Sequence, residues 1–119
     1  MTDQELDILL TDRCRRLDLR QKAIESFRKI LADTEDSNEN DFGGHNRDDI
    51  QYFFDGFEYH ILNKLVGSVI RTRIGLYVED TRKIWLGNLE PIGYYIYETD
   101  FSGNVLDDYC KFERHNLFL

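Results

Sequence analysis

Near Gly67 the hydrophobic period of this chain changes. Upstream, apolar residues recur three, four or seven apart, and downstream they alternate. A helix returns to the same face every 3.6 residues and a strand every second residue, so the switch predicts helices followed by a sheet. Val69 to Glu79 is the clearest case. Ile70, Thr72, Ile74, Leu76 and Val78 fall on one face, Arg71, Arg73, Tyr77 and Glu79 on the other. Asp80-Thr81-Arg82 reads as a hairpin turn, Lys83 to Leu89 as a second strand, and Pro91 as a strand boundary or edge. Ile92 to Thr99 and Val105 to Glu113 complete four strands, separated by the turn residues 100–104. The apolar tail Leu117-Phe118-Leu119 is expected to pack back on the body.

The helical half has two parts. From Asp3 to Asp33, Leu6, Leu9, Leu10, Cys14, Leu17, Ile24, Phe27, Ile30 and Leu31 keep helical spacing, with Thr2 or Asp3 as cap. Leu10, Leu17, Ile24 and Leu31 repeat every seven residues, but Arg13 and Arg20 between them argue against a coiled-coil seam. The expectation is one long helix, or two short ones broken near Asp18, lying on a sheet. A further helix is predicted from Arg47 to Val66, capped by Asn46 and ended by Gly67, with Ile50, Phe53, Phe54, Phe57, Ile61 and Leu65 as its buried stripe. Gly56 inside it weakens it by about 1 kcal/mol and suggests close packing there. The resulting fold class is α+β: two N-terminal helices packed on one face of a four-stranded antiparallel meander, in a single domain spanning 1–119.

Charge is distributed unevenly. The formal net charge is −8. Residues 31–60 hold nine acidic groups and one basic group, Arg47, while the segments on either side nearly balance. Five of those nine acids lie between Asp33 and Asp41. Such a charge disfavours direct binding to nucleic acid or to anionic lipid. The acidic N-terminus lacks the basic and apolar regions of a signal peptide, and no apolar run approaches a membrane span. Cys14 and Cys110 form no paired motif. A cytoplasmic protein with two reduced thiols is expected.

Candidate chemistry is sparse. A calcium loop of the EF-hand type needs oxygen ligands at positions one, three and five, Gly at six and Glu at twelve. Begun at Asp36, the pattern meets Asp41 and Arg47 at the last two; begun at Asn38, it meets Phe42 at position five. His45, His60 and His115 are scattered, without zinc spacing. Glu79-Asp80 with Lys83, and Asp107-Asp108 with Lys111, resemble nuclease carboxylate–lysine sets, but such residues are common at hairpin turns. Asp41 and His45 beside Gly43-Gly44 form a weak acid–base pair. Cys14 sits among Arg13, Arg15 and Arg16, yet lies on the apolar stripe, where a buried, inert thiol is expected. No cofactor motif is present, and no enzymatic activity is expected.

Surface recognition remains. Asp33, Glu35, Asp36, Glu39 and Asp41, with Tyr52 and Tyr59, are the expected partner-binding residues, and Tyr77, Tyr95 and Tyr97 would add exposed rings. The function expected is that of a non-enzymatic acidic binding protein. It would act as an inhibitor or immunity-type protein against the basic surface of a toxin or nucleic-acid-handling enzyme. The alternative is a small regulatory or ligand-sensing domain that binds calcium at the acidic loop.

Overall fold

The computed structural model describes residues 1–33, 42–62 and 67–113. Helices α1 (Asp3–Arg16) and α2 (Leu19–Asp33) precede strands β1 (Gln51–Ile61), β2 (Ser68–Glu79), β3 (Leu89–Thr99) and β4 (Val105–Phe112). The strands form one antiparallel sheet in the order β1-β2-β3-β4, and α2 packs across β2 and β3. This is the α+β arrangement of two helices on a meander, but both helices come from the first thirty-three residues.

The break near Asp18 is real. Thr2 caps α1 by accepting from Glu5 N at 3.1 Å, and the helix closes with Leu17 N donating to Arg13 O at 3.0 Å. Asp18 then takes a left-handed backbone, φ 53°, which short polar residues tolerate better than most. Its carbonyl receives Lys22 N at 3.0 Å and so starts α2. The turn redirects the chain, so that Leu19, Ala23 and Phe27 of α2 are buried over the sheet. They meet Ile70, Ile74 and Leu76 of β2 and Ile92, Tyr95 and Tyr97 of β3 in one core. Phe27 packs edge-on to Tyr52 and tilted against Tyr95, each at 5.3 Å between ring centroids.

The helix predicted from Arg47 to Val66 is not there. Arg47–Asp49 is a single 3₁₀ turn, capped by Asn46, and Gln51–Ile61 is the edge strand β1; residues 63–66 lie outside the described residues. The reason is a β-bulge. The β1–β2 register shifts between Phe54 and Gly56, leaving Asp55 as the extra residue. Tyr52 and Phe54 pair with Leu76 and Ile74, and beyond the bulge Phe57 and Tyr59 pair with Thr72 and Ile70, all on the helix-facing side. An extra residue turns a period of two into a local step of three, so Phe54 and Phe57 imitate a helical stripe. Phe53 faces the other way and is 50% exposed, and Phe57 is only partly covered, so the aromatics are not all core. A side chain at Gly56 would meet nothing within 4 Å and its φ is not positive, so the expected close packing at this glycine is absent.

The strand expected at Lys83–Leu89 is also absent. Residues 80–88 form a connection containing a 3₁₀ turn at Leu86–Asn88, and β3 starts at Leu89. Pro91 lies inside β3, opposite Tyr77, where the register shifts again and the ladder can spare an N–H. At Gly93 a Cβ would fall 2.1 Å from the Lys111 carbonyl oxygen, so the β3–β4 approach admits only glycine. The tail from 114 onward lies outside the described residues.

Replacing Phe27 removes the ring that α2 inserts between two strands. Phe27→Ala is expected to lower stability by about 3–5 kcal/mol, read as a shifted urea midpoint with an unchanged slope.

Candidate functional site

At the end of the sheet where β2 leads into β3, a cleft of about 570 Å³ opens beside the 3₁₀ turn. His45, Asp48 and Asp49 line one side, and Val78, Glu79, Thr81, Arg82 and Glu90 the other, with Gln51 of β1 completing the lining. Strand pairing assembles it: Gln51 lies opposite Tyr77, Val78 opposite Glu90, and Glu79 opposite Leu89.

Each wall is held by local hydrogen bonds. Asn46 Oδ1 accepts from Asp48 N at 3.1 Å, and the Arg47 guanidinium donates to Leu31 O at 3.1 Å, tying the turn to the end of α2. On the other side Asp80 is buried. Its carboxylate accepts from Arg82 N at 3.2 Å and from Trp85 N, which folds the 80–88 connection around one side chain. The Arg82 guanidinium donates to Glu90. The lining thus carries four carboxylates and one guanidinium, Arg82, which serves Glu90; Arg47 Nε lies 3.6 Å from Asp48, and the cleft remains acidic.

None of the expected partner-binding residues that are described lines this cleft. Asp33 is exposed at the end of α2, and Glu35, Asp36, Glu39 and Asp41 lie outside the described residues, as does the partner of His45 in the proposed acid–base pair. Tyr52 is half-buried. Its ring packs on Phe27 and its hydroxyl accepts from Arg28 Nε at 2.8 Å, so it braces the fold. Tyr59 is exposed but sits at the far end of β1, about 25 Å along the strand at ~3.3 Å per residue, with its ring 5.9 Å from that of Phe101. Tyr95 and Tyr97 are buried, which corrects their expected exposure. The Tyr95 hydroxyl donates to Asp108 at 2.9 Å and bonds Ser26 at 2.8 Å. Burial pushes this phenol well above its ordinary pKa; the Ser26 bond pulls the other way and the Asp108 carboxylate adds to the rise.

The nuclease-like sets dissolve in the same way. Asp80 organises its turn and Asp108 anchors Tyr95. Among the described residues, no group of three or more His, Cys, Asp or Glu side chains comes together to hold a metal ion. Glu79, Arg82 and Glu90 were missed as cleft residues because their proximity to Asp48 and Asp49 depends on β1 being a strand.

A second polar cluster covers the sheet face away from the helices. The Arg73 guanidinium stacks 4.0 Å from the Tyr94 ring centroid, and its Nε lies 2.9 Å from Asp55, off line for a hydrogen bond. Arg71 donates to Glu98 at 2.7 Å, a bond that raises its pKa further, and His60 pairs with Glu58 at 2.9 Å. These charges nearly balance within the cluster, whereas the cleft, even with Glu90 paired to Arg82 and Asp48 lying 3.6 Å from Arg47 Nε, keeps an excess of carboxylates.

No protein-family model, curated protein or solved structure matches this chain.

Both cysteines are free, Cys14 buried and Cys110 half-buried. Burial raises both thiol pKa values, that of Cys110 to about 11, with the Asp108 charge adding to the effect. Only about one thiol in a thousand is then thiolate at pH 8 at Cys110. Iodoacetamide at that pH is expected to leave both cysteines largely unmodified in the native protein and to modify both in urea, as read by intact mass.

Proposed function

We propose that the protein is a non-enzymatic binding protein whose acidic surface engages a basic partner, as an inhibitor or immunity-type protein does with a toxin or nucleic-acid-handling enzyme. The observation that supports this most directly is the cleft lined by Asp48, Asp49, Glu79 and Glu90, with Arg82 in its lining and Arg47 beside Asp48 as the nearby guanidiniums. Residues remote in sequence contribute to it, so the acidity of the surface exceeds that of the segment 33–41 alone. Carboxylates held on a 3₁₀ turn and two strand ends are fixed in position, and fixed charges steer a basic partner and favour one docking register. On an enzyme that handles nucleic acid, the same basic groups bind phosphates, and the carboxylates would occupy their place.

The test reverses three exposed carboxylates of the cleft. Of these, Asp48 has a long ion pair with Arg47, at 3.6 Å, so circular dichroism is used to check that the fold is kept. Asp48→Lys, Asp49→Lys and Glu79→Lys together are expected to weaken capture of a basic partner from source-cell extract by at least about thirtyfold. Capture by the unaltered protein should fall steeply as salt is raised. A second variant with Glu35, Asp36, Glu39 and Asp41 all changed to Lys apportions the interaction between cleft and loop. Undiminished capture by both variants would overturn the proposal.

A further inference from the structure

Helix α1 leaves a surface that neither the core nor the acidic cleft uses. Of its fourteen residues only Cys14 is buried. Ile8 is 63% exposed and Leu9 47%, adjacent on a helix whose opposite side already meets the protein. A shallow depression on this outer side is lined by Glu5, Ile8, Leu9, Asp12 and Arg15 among others. Isolated exposed apolar residues need no explanation, but a contiguous pair framed by charge is the composition of an interface.

The charges on α1 are ordered along its axis. Asp3, Glu5 and Asp7 occupy the first half, and Arg13, Arg15 and Arg16 the last turn. Asp12 is clamped by two guanidiniums, from Arg15 at 2.7 Å and Arg16 at 2.8 Å, so that cluster keeps a net positive charge. A helix that is acidic at one end and basic at the other is complementary to itself when reversed.

We propose that the outer face of α1 pairs antiparallel with the same face of a second copy of this chain, across a two-fold axis close to Ile8 and Leu9. Ile8 of each copy then covers Leu9 of the other, and Glu5 of each faces the Asp12–Arg15–Arg16 cluster of the other. An isologous contact forms each such pair twice, and the two helix dipoles lie antiparallel, each N-terminus toward the other's C-terminus. Charge selects the second copy over a basic partner here. A chain of net charge −8 repels its own kind over most of its surface, but α1 carries nearly balanced, oppositely segregated charge. The cleft is left free, because α1 packs at the other end of the sheet, where Arg13 stacks 4.7 Å from the ring centroid of Phe101 in the β3–β4 turn.

Sedimentation equilibrium of the full chain tests this. The unaltered protein is expected to be dimeric at about 100 µM, in the range of a small, polar-rimmed contact. Ile8→Lys should make it monomeric with an unchanged circular dichroism spectrum and melting temperature, since Ile8 supports no core contact. Glu5→Arg should weaken the dimer about three- to tenfold, because two equivalent ion pairs are lost. Adding Arg15→Glu and Arg16→Glu to Glu5→Arg should restore it. A protein monomeric at every concentration, or a dimer indifferent to Ile8→Lys, overturns the proposal.

Discussion

The fold depends on how one helix is seated. Phe27 of α2 enters between Tyr52 of β1 and Tyr95 of β3, and the buried Tyr95 hydroxyl joins Ser26 on the helix to Asp108 on β4. Apolar burial supplies most of the favourable free energy, at roughly 25 cal/mol per Å². The phenol's two bonds decide position, because a buried hydroxyl without partners is costly and only one placement of α2 satisfies it. Three of the four strands are thus referenced to one turn of helix. The Arg47 bond to Leu31 O extends that reference to the 3₁₀ turn, and through it to one wall of the cleft.

The acidic cleft is in this sense a by-product of sheet geometry. Nothing local brings Asp48 and Asp49 near Glu79 and Glu90. They meet because β1 and β3 flank β2 in antiparallel register and the connection after Glu79 is wound tightly around Asp80. On the sheet face away from the helices, charges are arranged in cross-strand pairs, Arg71 with Glu98 and Arg73 with Asp55. Exposure to solvent does not separate the two surfaces. The degree of compensation does, and the cleft, where four carboxylates share the neighbourhood of Arg82 and Arg47, is the better candidate for an external partner.

The sequence pattern was legible wherever period and structure agree. The alternation of β2 is unbroken, and Ile70, Thr72, Ile74 and Leu76 are buried as the pattern requires. The segment carrying Leu10, Leu17, Ile24 and Leu31 was legible as helix, but its spacing allows one helix or two; the structure has two, with Asp18 at the corner. Where a bulge intervened, the pattern misled: Asp55 shifts the faces by one residue, and a strand took on helical spacing. The richness of β1 in Tyr and Phe was the contrary signal, since aromatic residues favour strands. Tyr95 and Tyr97 were misplaced because a phenol is apolar over most of its area, and its burial depends on a partner for the hydroxyl that only the fold reveals. The acids of the cleft were individually visible, but their convergence was not, because it rests on strand pairing between residues distant in sequence, such as Gln51 with Tyr77 and Val78 with Glu90.

The bulge in β1 has a further effect on how molecules of this protein meet in crowded solution. An eleven-residue edge strand with exposed rings is the kind of border along which sheets grow from chain to chain. Regular growth needs an uninterrupted row of amide and carbonyl groups at even spacing. Asp55 breaks that row near its middle, adds a carboxylate beside it and increases the local twist, so an incoming strand can match one half of the edge but not both. The irregularity that obscures the strand in the sequence therefore also protects the folded molecule against polymerising through its own border.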